Sequence, residues 1–341
     1  MFCSTKPSKK MMTEILDPDG DVTITCGDTS FRVCSKALSL ASPVFAVMLK
    51  PSSFREGMLT GDAESANSAV ISLPEEYLDA FRMFANLAHH RLSDAGDQPS
   101  VVQLDNLALF IAKYDCTNMM KDRGNTWISR TLAEGDVSQE QLWLLLHLAY
   151  VLDLDTLVSN LSRTLVQSLA ERIRDWEYAR ANMRTFPDGF LAQLDHIHHT
   201  MTVDMEETMI KPIIALSSSS CEGCRAMLSN YIRGLAAAGI LRATNKYRRK
   251  SVPQILQSVA TFGDASYSIH AAYCIEGQAS AIPQNKGALL DSLRYHTERA
   301  QMCQGCLTGG ENCRKHRPGG WKGAIAIMSL LALVVGVGAI C

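Results

Sequence analysis

The chain has 341 residues, 47% of them hydrophobic and 20% charged, with a formal net charge of −2. That length suits about two domains with a real core, and the near-neutral balance excludes a basic surface spread over the molecule, so no nucleic acid is expected as a partner. Residues 1–12 carry Lys6, Lys9 and Lys10 and no apolar run. A secretory signal is therefore not expected, and the 11 cysteines are expected as reduced thiols rather than a disulfide framework.

The best-formed stretch is Asp17–Phe45. Val22, Ile24 and Cys26 alternate with Thr23 and Thr25, which predicts a half-buried strand. Gly27–Ser30 supplies a turn, and Phe31 and Val33 continue the alternation as the second arm of a hairpin. Ser35 stands where a helix N-cap belongs, and Ser42-Pro43 opens a second helix. Val70–Leu73 reads as a third strand after a polar loop, Thr60–Ser68. Pro74-Glu75-Glu76 opens a helix with Leu78, Phe81, Ala85 and Ala88 on one face, ended by His89-His90-Arg91. Leu104, Leu107, Ile111 and Tyr114 mark another helix, and Lys121–Ser129 a further one.

Ser138 with Gln141 has capping-box form and starts a strongly apolar helix over Leu142–Leu152, too short to cross a bilayer. Helix is expected to continue over Leu154–Arg180, then over Asp188–Ile214 and Met227–Leu241, with Ser217–Ser220 as a breaker. Beyond Arg242 the pattern weakens, and Asn245–Lys250 and Gly277–Lys286 read as loops. Ala324–Ile340 carries no charge. With Gly323 and Cys341 it gives a helix of about 28 Å, close to the hydrocarbon thickness of a bilayer. Arg314, Lys315, Arg317, Trp321 and Lys322 precede it, which predicts a tail anchor with the folded part on the cytoplasmic side of an intracellular membrane.

The ordered string D-P-x-G-D, F-R-V and S-K-x-L-S-L-A-S-P-V-F within residues 17–45 resembles the opening of a BTB/POZ domain in the form common in fungal proteins. The stretches LPEEYLDAFRMFANLAHHR (73–91) and AKYDC (112–116) are similar to the same family, as is LAYVLDLDTL in the helical region that commonly follows. The resemblance implies an α+β fold, a short β-sheet flanked by helices, followed by an all-α extension and the C-terminal transmembrane helix. The expected organisation is a flexible basic N-terminus (1–12), a BTB/POZ domain (13–132), an α-helical extension (133–300), a Cys/basic linker (301–322) and the transmembrane tail (323–341).

The family is an interaction module, often dimeric. Some members present substrates to cullin-type ubiquitin ligases through an apolar-x-Glu motif, which falls here on Phe54 and Glu56. Phe54 would fill an apolar pocket of the cullin scaffold, and Glu56 would accept a charged hydrogen bond at its rim. The alternative is that Phe54 packs on its own domain. About 16 residues precede the first motif, which leaves little for the N-terminal helix that builds many animal dimers.

Cys303, Cys306, Cys313 and His316 offer three thiolates and an imidazole, a set that would satisfy tetrahedral zinc; free thiols are the alternative. Cys221 and Cys224 form a second C-x-x-C, without the βαβ context of a thioredoxin-like redox motif. In Asp195-His196-Ile197-His198-His199 at most His196 and His199 share a helical face, so a solvated polar face is expected rather than a metal site. Lys246–Lys250 reads as an exposed loop or a nuclear import signal. No catalytic motif is present: there is no G-x-S-x-G, no phosphate-cradling loop and no H-E-x-x-H.

The resulting expectation is a non-enzymatic protein–protein interaction module, self-associating as a homodimer or binding other proteins, and membrane-anchored, with no cofactor. Two alternatives stand beside it. One is an adaptor for a cullin-type ligase. The other is a BTB-type transcriptional regulator with a small zinc module, soluble in the nucleus or cytosol.

Overall fold

In the computed structural model, which describes residues 12–50, 69–73, 77–91, 98–240, 250–262 and 286–302, the expected hairpin forms. Strand β2 (Val22–Cys26) pairs antiparallel with β3 (Thr29–Val33), and Gly27 takes the positive φ of 57° that the tight turn requires. Strand β4 (Ala69–Ser72) adds parallel to β2. Strand β1 (Met12–Ile15) adds parallel to β3, giving the order β1-β3-β2-β4. The register puts Glu14, Phe31, Ile24 and Ile71 in one row facing the core. Ile15, Arg32, Thr23 and Val70 form the adjacent row on the opposite face.

The first strand begins one residue inside the stretch expected to be a flexible N-terminus, at Met12. Its four residues carry no alternation, and tertiary partners hold it. Arg82 donates to Glu14 through Nε and Nη2, the latter at 2.8 Å, and Arg91 Nη1 donates to the Ile15 carbonyl at 2.9 Å.

Helix α1 (Ser35–Ala41) corrects the expected cap. Cys34, not Ser35, is its N-cap, and no side chain of its own caps it. The cap comes from elsewhere. Asp21 accepts from the Ser35 N–H at 2.7 Å and from the Ser35 hydroxyl at 2.6 Å. His89 Nε2 accepts from the Cys34 N–H at 2.9 Å, while its Nδ1–H donates to the Ala85 carbonyl at 2.8 Å. Orphan donors at a helix start need such partners. Helix α2 (Pro43–Met48) starts as expected: Ser42 accepts from Phe45 N at 3.1 Å, and its own hydroxyl donates to the Tyr114 carbonyl.

Helices α3 (Leu78–Ala88), α4 (Val101–Tyr114) and α5 (Thr117–Ala133) follow. Their aromatic residues close one core over the inner sheet face. Phe31, Phe45, Phe81, Phe84, Phe110 and Tyr114 are all buried, and Phe45 stacks on Tyr114 at 4.7 Å between ring centroids. Ring pairs of this kind add about 0.5–1.5 kcal/mol each beyond burial.

The capping box Ser138/Gln141 starts α6 (Gln139–Val151) as expected. Its eight residues Leu142–Ala149 are all buried, so the helix is surrounded on every side. It packs on α4, which carries the core across the boundary expected near residue 132. Helix α7 (Asp155–Ser168) ends well before Arg180. Leu169 stays buried but turns to extended backbone (φ −77°, ψ 135°), and a 3₁₀ turn (Ile173–Asp175) and a short α8 (Glu177–Ala181) replace the expected continuous helix. Then come α9 (Phe190–Ser217) and α10 (Glu222–Ala237).

Two further helices, α11 (Val252–Ala260) and α12 (Lys286–Arg299), lie where the sequence pattern was weak. The end of α12 is fastened to α7. Ser159 Oγ donates to the Met302 carbonyl at 2.7 Å, Met302 N donates to Ser162 Oγ at 3.0 Å, and Gln167 Nε2 donates to the Thr297 carbonyl at 2.8 Å. The architecture is thus α+β, mostly helical with one four-stranded sheet. Among the described residues no helix is long and apolar enough to cross a membrane.

Candidate functional site

The sequence-derived site residues Phe54, Glu56, Cys303, Cys306, Cys313 and His316 lie outside the described residues, as does the apolar tail, 323–341. Among the described residues, no three or more His, Cys, Asp or Glu side chains are grouped to hold a metal. Of the basic run only Lys250 is described. Its ammonium is tied down, donating to the Ala238 carbonyl at 3.0 Å and to Ser258 Oγ at 2.7 Å, so this residue is not a spare surface cation.

The structure brings together one constellation that the sequence spacing did not reveal. Helix α4 supplies Asp105, α6 supplies His147, and the turn between α8 and α9 supplies Arg184 and Thr185. Asp105 Oδ1 lies 2.8 Å from His147 Nδ1, and His147 Nε2 lies 2.8 Å from Thr185 Oγ1. Arg184 Nη2 reaches Asp105 Oδ2 at 3.0 Å. A carboxylate only accepts, so Nδ1 carries the proton. In the neutral ring Nε2 then accepts from the Thr185 hydroxyl. The order hydroxyl–imidazole–carboxylate is that of an activated nucleophile.

Two observations limit what this arrangement does. The His147 side chain has 0% exposure, so although Thr185 is an exposed residue, Nε2 is reached only through the Thr185 hydroxyl. The Phe186 N–H that follows Thr185 is committed to the Met183 carbonyl at 3.0 Å and is not free to stabilise an oxyanion. The network acts instead as a clamp. Arg184 sits at φ 52°, a left-handed conformation unfavourable for a side chain with a Cβ, and its ion pair with Asp105 holds it there. Phe186 then stacks on Phe190 at 3.9 Å and lies 5.2 Å from the His147 ring. The Trp143 indole donates to the Asn182 carbonyl at 2.8 Å. Tyr178, beside this site, has its phenol pKa raised by burial and by the Asp105 carboxylate, against the opposing Arg184.

The histidine cluster departs from expectation. Asp195 and His198, one helical turn apart, are buried, while His196 and His199 are exposed. The solvated face therefore covers only part of the cluster, because Asp195 turns inward to Arg172. Arg172 Nη2 reaches Asp195 Oδ2 at 2.5 Å, and Arg174 Nε lies 3.8 Å away. Burial pushes the His198 imidazole down to about 4, with Asp195 partly opposing and Arg172 adding to the fall.

On the surface, α1 and α2 expose three aliphatic side chains within a short span. Leu40 is 77% exposed, Val47 51% and Val44 37%. Val44 and Val47 share one helical face. Scattered single apolar residues need no explanation, but three within eight positions on two helices that pack together offer a contact face. Ile15 and Val70 are also exposed, at the two edges of the outer sheet row.

No family model, curated protein or solved structure matches the chain.

Proposed function

We propose that the chain is a non-enzymatic protein–protein interaction module of the BTB/POZ kind, which self-associates through α1 and α2. The observation that carries this reading is the exposure of Leu40 on α1 and of Val44 and Val47 on α2, the last two flanking the buried Phe45 in sequence. An aliphatic face without a charge at those three positions binds by burying apolar surface, at about 25 cal/mol per Å² removed from water. A second copy is the simplest occupant, since a two-fold contact sets the same face against itself. The motif residues support the reading as framework: Asp21, Ser42 and His89 fasten the ends of α1 and α2 and so fix the face. The apolar tail would hold this module beside a membrane.

Sedimentation velocity over a concentration series tests the proposal. The wild type is expected to show concentration-dependent association, and Leu40→Asp/Val47→Asp is expected to sediment as a folded monomer. A wild type that stays monomeric throughout would overturn self-association. Unchanged association of the double variant would move it to another face.

A further inference from the structure

Cys221 and Cys224 stand apart from the Asp105–His147–Arg184 clamp and from the aliphatic face. Cys221 is the N-cap of α10, in extended backbone (φ −68°, ψ 126°) and half-buried. Cys224 is the third residue of that helix. It is buried against Leu216 at the end of α9, with Ala215, Met227, Leu228 and the half-buried Cys221 itself packed around the pair. No disulfide joins the two cysteines.

A thioredoxin-like sheet is not what this chemistry needs. It needs two thiols one turn apart, one accessible and one sheltered, at a site that favours thiolate. The N-terminal end of a helix carries partial positive charge, which favours a thiolate over a thiol. Helix α10 runs for 16 residues, long enough for that charge to develop. Glu222 in the first turn and Arg225, whose Nη2 donates to the Ser220 carbonyl at 2.9 Å, are both exposed, so their opposite charges are screened by water and the preference for thiolate rests on the helix terminus. Residues three apart on a helix have Cβ atoms about 5–6 Å apart, and a disulfide needs about 3.5–4.5 Å. The Cys221 carbonyl accepts from the Arg225 N–H at 3.1 Å and its N–H donates to Ser219 Oγ at 3.2 Å, but as N-cap its torsions are not helical, so closing the difference requires Cys221 to turn at the expense of the Ser219 bond.

We infer that Cys221 and Cys224 are a redox-active dithiol, which glutathione disulfide converts to an intrahelical disulfide. The Cys221 thiolate attacks one sulfur of glutathione disulfide, and one glutathione leaves as thiolate and takes up a proton. Cys224 then loses its proton and attacks the Cys221 sulfur, expelling the second glutathione. The protein dithiol is oxidised and one glutathione disulfide is reduced to two glutathiones. Bond formation draws the Cys224 sulfur away from Leu216, which loosens the junction between α9 and α10.

The test uses the reduced full-length protein. It is equilibrated with glutathione disulfide, the remaining thiols are blocked with iodoacetamide, and the peptide spanning the two cysteines is weighed. The wild-type peptide is expected to lose two hydrogens and take no label, and dithiothreitol is expected to reverse this. Cys224→Ser is expected to retain glutathione on Cys221. Cys221→Ser keeps a favoured capping residue and hence the helix, and is expected to leave Cys224 reduced. In the reduced wild type, Cys221 is expected to label about tenfold faster than Cys224. A wild-type peptide with both thiols still labelled, or one that stops at the glutathione adduct, would overturn the inference.

Discussion

Replacing Asp105 with alanine tests the clamp directly. The carboxylate accepts from His147 Nδ1 at 2.8 Å and from Arg184 Nη2 at 3.0 Å, and its side chain is 3% exposed. A hydrogen bond to a charged group contributes about 1.5–3 kcal/mol net, so the two together give roughly 3–6 kcal/mol. The Arg184 share is discounted, because that guanidinium is 34% exposed and water can solvate it once released. The His147 share is not, since its ring has no exposure and the Nδ1–H is left without an acceptor. The expected loss is about 3 kcal/mol, with further slack in the 182–189 turn as Arg184 leaves its left-handed conformation. Urea unfolding reads this as a lower midpoint at unchanged slope. Asp122→Ala, at an exposed position of α5, serves as a control and is expected to stay within about 0.5 kcal/mol. Thr185→Val is expected to lose about 1–2 kcal/mol, and its effect should shrink in the Asp105→Ala background because both act through His147. A loss below about 1 kcal/mol for Asp105→Ala would refute the clamp.

Two further outcomes follow from local geometry. His198 titrates near 4 when folded against an ordinary value of 6.5, so between those pH values the unfolded chain holds a proton that the folded chain does not. Its stabilisation is therefore complete above about pH 6.5 and is lost as pH falls towards about 4, by about 3 kcal/mol in all. His198→Leu should flatten that part of the stability–pH curve, and an unchanged slope would place the effect elsewhere. Gly20→Ala is expected to destabilise by about 1–3 kcal/mol on thermal or urea unfolding, because a Cβ there would meet the Val33 backbone oxygen at 2.7 Å and backbone cannot step aside. A neutral Gly20→Ala would show that the turn has room to open.

Local rules carried much of the fold. The Val22–Val33 alternation, the Ser42-Pro43 start and the Ser138/Gln141 box each depend on residues within a few positions, and each forms the expected element. Helix α11 also had a readable box, Ser251 with Gln254, whose Ser251 N–H donates to Gln254 Oε1 at 2.9 Å, and Val252, Ile255 and Val259 at helical spacing behind it, so this start was legible locally although no helix was expected there. The missed strand Met12–Ile15 had no local signal, since its hold comes from Arg82 and Arg91, about seventy residues away. The break after Ser168 was hidden because Leu169 continues the step-of-four pattern and stays buried after the helix ends.

The sequence by itself determined an α+β chain that opens on a hairpin and two short helices, and it determined Cys-x-x-Cys as a spacing. Periodicity and capping are properties of neighbours, so one dimension holds them. Only the tertiary structure placed Asp105, His147 and Arg184 in one clamp, and only the helix boundary at Glu222 turned Cys221 into an N-cap thiol beside a buried partner. Those outcomes depend on which helix packs on which, and on where a backbone turns. Burial and distance set the chemistry of a side chain, and neither is written in the spacing of residues along the chain.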